Sequence, residues 1–107
     1  MNFFAELSQK TNIPICNLEF LSDVTAPYAV YQVTEENNIL ADSVVVFSEK
    51  FVDFVLYHEK TDLESEKAVE DFFKEKKLPY EKSNVWIEQE KLVETTYQII
   101  FNKMEEL

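Results

Sequence analysis

The chain contains no glycine among its 107 residues, and this restricts its possible folds and sites more than any other feature. Glycine-rich phosphate loops and dinucleotide-binding fingerprints need glycine where the backbone approaches a ligand closely. Both kinds of nucleotide site are therefore excluded. Any tight turn must place Asn or Asp in the left-handed region of backbone space. The pairs Asn37-Asn38 and Ser83-Asn84 are the predicted positions.

The composition predicts one soluble domain covering residues 1–107. Hydrophobic residues make up 46% of the chain and aromatic residues 14%, which is enough for a packed core. The formal net charge of −11 opposes binding to nucleic-acid phosphates and to anionic membranes. A single cysteine, Cys16, excludes an internal disulfide, and no apolar run is long enough to cross a bilayer.

Hydrophobic spacing predicts two helices. The first covers residues 1–11, and its apolar side is formed by Phe3, Phe4 and Leu7. The second covers residues 61–77 and begins at a capping box of Thr61 and Glu64. Its apolar side is expected to contain Leu63, Ala68, Val69, Phe72 and Phe73. Residues 103–107 form a polar tail that we expect to be mobile.

Runs of aromatic and β-branched residues predict strands between and after these helices. The predicted strands are 28–34, 39–47, 51–58, 85–88 and 92–101, with a possible short edge strand near Pro14. Turns are predicted at 35–38, at 48–50 and at Gln89-Glu90. The sequence therefore predicts an α+β fold: a single domain with an antiparallel β-sheet of about four to five strands and two helices packed on one face.

None of the chemically versatile side chains forms a convincing reaction centre. His58 is the only histidine, and a lone histidine at a strand end is more typical of a surface residue than of a base. Cys16 lacks an activating neighbour in sequence, which favours a buried structural thiol. Asp42 and Asp53 could be paired carboxylates, but a turn position and an outward strand position explain them better. We predict no enzyme activity, no cofactor and no metal site.

A run of acidic residues marks the second helix, and two other features point to surfaces for another chain. The acidic run (Glu64, Glu66, Glu70 and Asp71) is expected to be a solvated face that complements the helix dipole. Val44, Val45 and Val46 are continuously apolar, so a partner or a covered central position must bury them. Trp86 is exposed and interface-like if Val85 and Ile87 face the core, and is itself in the core if the register is reversed.

The order of several segments resembles small phage and prophage proteins, specifically the tail terminator or tail completion (tail-to-head joining) proteins of long-tailed phages of Gram-positive bacteria. The segments that carry it are Pro27-Tyr-Ala-Val-Tyr31, Ala41-Asp42, Val52-Asp-Phe-Val-Leu-Tyr57, Tyr80-Glu-Lys82 and Tyr97-Gln-Ile99. They lie within residues 27–101, about two-thirds of the chain. The resemblance has no catalytic signature.

This resemblance implies a structural protein that assembles as a ring, usually a hexamer. Such a ring caps the tail tube and joins it to the head connector, so the implied partners are other copies, tail-tube subunits and connector subunits. The implied locations are the host cytoplasm during assembly and the head–tail junction of the virion. DNA would pass through the ring without specific binding, and no membrane is involved.

The excess of acidic residues allows two functional interpretations. In a ring, Glu35, Glu36, Glu88 and Glu90 are candidates to face the lumen and repel DNA, although each could equally be part of an ordinary solvated turn. Alternatively, the charge of −11 could mimic DNA phosphates and inhibit a nucleic-acid enzyme.

Overall fold

The computed structural model describes residues 3–18, 24–41 and 44–101, and for residues 38–41 and 44–48 it describes the backbone alone. Its elements, in chain order, are α1 (Phe3–Thr11), β1 (Ile15–Asn17), β2 (Tyr28–Ala41), β3 (Val44–His58), α2 (Leu63–Glu75), β4 (Tyr80–Ile87) and β5 (Leu92–Phe101). The predicted tail at 103–107 lies outside the described residues.

The strands form one five-stranded sheet in the order β1-β2-β3-β5-β4. β1 runs parallel to β2, and every other neighbouring pair is antiparallel. Both helices pack on the same face, because Phe4 of α1 and Phe73 of α2 both contact Phe54 of β3, with ring centroids 5.6 and 5.8 Å apart. The predicted α+β class, with two helices on one face of a sheet, is confirmed.

The core lies between the helices and alternate residues of the central strands. Val52, Phe54 and Leu56 of β3 are buried, as the two-residue period of a strand requires. The remaining buried apolar residues are Phe3, Phe4, Leu7, Ile13, Ala29, Val69, Phe72, Phe73, Tyr97, Ile99 and Phe101. The predicted apolar side of α1 is therefore correct.

The prediction of three separate strands between residues 28 and 58 is wrong, because the structure has two long ones. The predicted turn at 35–38 lies inside β2, and the predicted turn at 48–50 lies inside β3. Pairing continues through both, with Glu35 opposite Phe51 and Glu36 opposite Lys50. Register shifts between Val33 and Glu35 and between Ile39 and Leu40 mark bulges, which let a strand bend without ending.

The left-handed residues also differ from those predicted, because Asn37-Asn38 and Ser83-Asn84 lie in strands. Positive φ angles occur instead at Asn12, Leu18, Lys77 and Lys91. Lys77 follows α2, and the Leu78 amide donates to the Phe73 carbonyl at 2.9 Å while the Lys77 amide donates to Lys74 at 3.0 Å. This is the Schellman arrangement, with lysine where glycine is usual.

Helix α2 begins and ends inside the predicted range of 61–77. Asp62, and not Thr61, caps its N-terminus, because the Asp62 carboxylate accepts from both the amide and the hydroxyl of Ser65, at 3.1 and 2.7 Å. Leu63 is 65% exposed and is therefore not part of the apolar side. It is the first residue of α2. Val69, Phe72 and Phe73 are buried as predicted.

Candidate functional site

A network of polar side chains, ranging from fully buried to exposed, lies between α2 and the sheet. We call it the ionic network, and its members are His58, Glu66, Glu70, Tyr80, Lys82, Asn84, Thr95 and Tyr97. His58 is only 1% exposed. Its Nε2 lies 2.7 Å from Glu66 Oε2 and 3.0 Å from the Thr95 hydroxyl, and its Nδ1 lies 2.8 Å from the Glu59 carbonyl.

The outer half of the ionic network is centred on Glu70. Its carboxylate accepts from Lys82 at 2.7 Å, from the Tyr97 hydroxyl at 2.8 Å and from the Tyr80 hydroxyl at 3.2 Å. Lys82 also pairs with Glu66. Burial raises the pKa of Glu70, but the hydrogen bonds from Lys82 and Tyr97 outweigh it, so the pKa lies below its usual value.

The same contacts hold Lys82 and Tyr97 in their protonated forms. Burial lowers the pKa of Lys82, but its hydrogen bonds to Glu66 and Glu70 outweigh this and raise the pKa above the usual value. The pKa of the Tyr97 hydroxyl is raised by burial and by its hydrogen bond to Glu70. Glu70 is therefore kept ionised, and Lys82 and Tyr97 protonated, near neutral pH.

The ionic network corrects two predictions. His58 is a buried residue rather than a surface residue, because it continues the buried alternation of β3. Glu66 is buried and Glu70 half-buried, so the acidic run of α2 is not wholly a solvated face. Every fully buried side-chain nitrogen or oxygen among the described residues has a hydrogen-bond partner. Such a satisfied network joins α2 to three strands.

A second feature is a two-stranded extension of the sheet, formed by residues 37–41 of β2 and 44–49 of β3, which we call the arm. β5 pairs with β3 only from Lys50 to His58, and β1 pairs with β2 only from Ala29 to Tyr31. In the described residues, the strands of the arm therefore pair only with each other. The molecule is elongated accordingly, with extents of 52 × 26 × 24 Å.

The outer strand β4 is a third feature, because it forms one edge of the sheet along its whole length. Its eight residues pair with β5 on one side only, and six of them, from Glu81 to Trp86, are exposed. Charged residues occupy one half, and Val85 and Trp86 occupy the other with 54% and 43% exposure. Exposed strand edges carry unpaired backbone groups that can pair with another chain.

Trp86 fits neither of the two predicted registers. It pairs with Val93 and so lies on the helix-covered side of the sheet, yet it remains exposed. Its Nε1 donates to Glu88 at 2.6 Å, and the Lys60 ammonium lies 5.9 Å from its ring centroid. An exposed tryptophan with its polar atom already bonded suits an interface anchor.

The helix-free face of the sheet is the fourth feature. It carries a groove of about 590 Å³, lined among others by Phe51, Asp53, Glu81, Gln98 and Ile100. The apolar residues on this face are half-buried or exposed, in contrast to the buried alternates on the other side. Tyr28 and Tyr57 stack at its far end with ring centroids 5.0 Å apart.

The structure separates the acids predicted to line a lumen into two groups. Glu35 and Glu36 lie at the base of the arm, opposite Phe51 and Lys50, and they belong to a strand rather than a turn. Glu88 and Glu90 lie at the tip of the β4–β5 hairpin, as predicted, and the pKa of Glu88 is lowered by hydrogen bonds from Lys91 and Trp86. The two groups lie at opposite ends of β5.

The remaining predicted residues occupy ordinary positions. Val44, Val45 and Val46 lie in the arm, and their side chains are outside the described residues. Cys16 is half-buried in the edge strand β1 rather than fully buried. Asp53 lies on the helix-free face of β3, which is the predicted outward position. Asp42 lies outside the described residues.

Two absences among the described residues concern metal ions and membranes. No group of three or more His, Cys, Asp and Glu side chains there is arranged to hold a metal ion. Within the same residues, neither helix is long and apolar enough to span a bilayer.

Sequence reasoning missed the ionic network, although two signals for it are present. Val52, Phe54 and Leu56 share a buried face, and one more step of two residues reaches His58. Glu66 and Glu70 lie four residues apart, flanking Val69 on the side of α2 that faces the sheet.

No protein-family model matches the chain, and a search of curated proteins finds no significant relative.

Proposed function

We propose that this protein is a structural assembly subunit of a phage or prophage, which forms a ring at the top of the tail tube and joins it to the head connector. The observation that carries the proposal is the arm. A two-stranded ribbon is marginally stable at best in water, so pairing with a further strand would stabilise it. Another protein chain is the natural source of that strand.

The positions of the open edges support a ring rather than a pair. A two-fold dimer joins identical patches, whereas a ring joins two different patches head to tail. The arm and β4 are different edges, because β5 lies between β3 and β4 in the sheet. Pairing of β4 in one subunit with the arm of the next would use both. The hexameric ring size comes from the resemblance alone.

In this proposal the ionic network has a structural role, because its hydrogen bonds join α2 to the sheet. The acidic charge suits a passage for DNA, because a wall of carboxylates adds no counterion-release affinity. Of the two acidic groups, Glu88 and Glu90 at the hairpin tip project beyond the sheet and are the stronger candidates for a lumen. Lysine substitutions of both should slow DNA ejection from assembled particles.

Electron microscopy of the purified protein at high concentration tests the ring. We expect closed rings for the wild type and for Leu63→Lys, and their loss in Val85→Lys. Both substitutions place a lysine at an exposed apolar residue, but only Val85 lies on the β4 edge, where a charge opposes strand pairing. Single subunits at every concentration, together with no binding to tail-tube protein, would contradict the proposal.

The alternative function, a DNA mimic that inhibits a nucleic-acid enzyme, rests on the net charge of −11. It predicts salt-sensitive binding to a basic enzyme in competition with DNA. The ring proposal predicts that no such competition occurs.

A further inference from the structure

The helix-free face of the sheet has a regular chemical pattern that the ring does not use. Strand register places its side chains in rows that cross the strands. Consecutive rows on one face lie about 7 Å apart, since each residue advances a strand by about 3.4 Å. The rows combine apolar and acidic side chains, as in the row of Glu35, Phe51 and Ile100.

The rows follow directly from the pairing. Phe51 lies beside Ile100 in the first row, Asp53 beside Gln98 in the second, and Val55 beside Thr96 in the third. Tyr57 lies beside Glu94 in the fourth. Phe51, Val55 and Tyr57 remain half-buried, whereas Ile100 and Val85, which pairs with Glu94 in the fourth row, are 37% and 54% exposed. The face is therefore partly apolar and open, the condition in which a packing partner removes further surface from water.

The charges on this face all have one sign. Register places five carboxylates on the face: Glu35 on β2, Glu49 and Asp53 on β3, Glu81 on β4 and Glu94 on β5. Neither lysine of the described strands shares the face, because Lys50 and Lys82 pair with Phe101 and Tyr97 and so lie on the helix-covered side. A second copy of the same face would bring like charges together.

The electrostatic environment at the far end agrees with this pattern. Burial raises the pKa of Tyr57 to about 12, and Glu94, its hydrogen-bond partner, adds to the effect. Burial also raises the pKa of Tyr28, with a contribution from Glu90. Nearby negative charge thus disfavours any further anion here.

We propose that the helix-free face is a docking surface for a protein segment that combines lysine or arginine with apolar side chains. The apolar side chains would occupy the groove beside Phe51 and Ile100 and the row of Val55. The cationic groups would lie against Asp53, Glu81 and Glu35. The proposed ring instead pairs the backbone edges of β4 and the arm, and Asp53 and Val55 at the centre of the face lie on neither edge.

Peptide binding tests the proposal. The probe is a labelled peptide of alternating Lys and Val, compared with peptides of alternating Lys and Ser and of alternating Glu and Val. Binding is measured by fluorescence anisotropy, and the site is mapped by amide shifts in NMR spectra of the whole chain. We expect the Lys–Val peptide to bind best and to shift amides of β3, β4 and β5 on the helix-free face.

A matched pair of variants separates the face from overall charge. The face variant carries Glu35→Gln, Asp53→Asn and Glu81→Gln. The control variant carries Glu59→Gln, Glu64→Gln and Asp71→Asn, which remove the same number of carboxylates elsewhere. We expect the face variant to bind about tenfold more weakly, since each exposed ion pair contributes roughly a factor of two. The control should bind like the wild type.

Several results would overturn the proposal. Equal weakening in both variants, or equal binding of the Lys–Val and Lys–Ser peptides, would mean that overall charge alone attracts the probe. Shifts confined to α2 would place binding on the other side of the sheet. Concentration-dependent shifts of the same face without peptide would assign it to a second copy of the chain.

Discussion

The two faces of the sheet belong to the same strands but differ in how deeply their side chains are buried. On one face, Phe54 is fully buried beneath both helices, and His58 is held by the ionic network. On the other, Val55 and Tyr57 of the same strand remain partly open. Alternate residues of one strand thus lie in a buried core on one face and in a partly exposed surface on the other. The contrast separates a face that the chain buries by itself from a face and edges that we propose as binding surfaces for other chains.

The largest expected effect on stability comes from truncating one side chain on each face. Phe73→Ala removes a fully buried ring from the helix-covered side, and should lower the free energy of unfolding by about 3–5 kcal/mol. Val55→Ala on the open face should cost about 1 kcal/mol or less. Urea unfolding of both variants measures the difference. Similar costs would mean that the open face is packed as tightly as the core.

A smaller effect is expected in the polar part of the covered side. Glu66→Gln leaves His58 and Lys82 without their shared carboxylate, and should cost about 2–3 kcal/mol because hydrogen bonds to charged groups are lost in a buried site. Glu64→Gln, two residues away and exposed, is the matched control and should change stability by less than about 0.5 kcal/mol. Equal stabilities would show that the ionic network contributes nothing to the docking of α2.

These two regions also differ in how well the sequence predicts them. The alternation of Val52, Phe54 and Leu56 identifies the covered face, because a two-residue period is a local signal. Glu35 and Glu36 resemble a turn locally, but their strand partners Phe51 and Lys50 are distant in sequence, and this pairing decides the structure. The prediction therefore fails where non-local pairing overrides a local preference.

The functional residues were predictable to a similar, limited extent. The hairpin tip at Glu88–Glu90 follows from its turn-like composition and is where the sequence places it. The exposure of Trp86 depends on where α2 covers the sheet, and no spacing in the sequence reports that. The ionic network requires α2, β3, β4 and β5 to meet, so only the tertiary structure brings its members together.

The smallest expected effect is the acid dependence of stability that Glu70 provides. Its pKa is lowered in the folded protein, so its contribution is present above its unfolded value of about 4.3 and is lost as the pH falls through the folded value. Urea unfolding between about pH 6 and about pH 3 should show a steeper loss for the wild type than for Glu70→Gln. Parallel curves would mean that Glu70 gains no net stabilisation from Lys82 and Tyr97.

The most direct test of the central claim, that the open edges pair between chains, is hydrogen exchange measured at low and high protein concentration. If these edges pair between chains, amides of the arm and of β4 exchange more slowly at high concentration. Exchange rates in β5 stay unchanged, because β5 is already paired on both sides. The Val85→Lys variant should show no such slowing. Exchange rates in the arm and β4 that stay the same at every concentration, with tail-tube protein present or absent, would contradict the account.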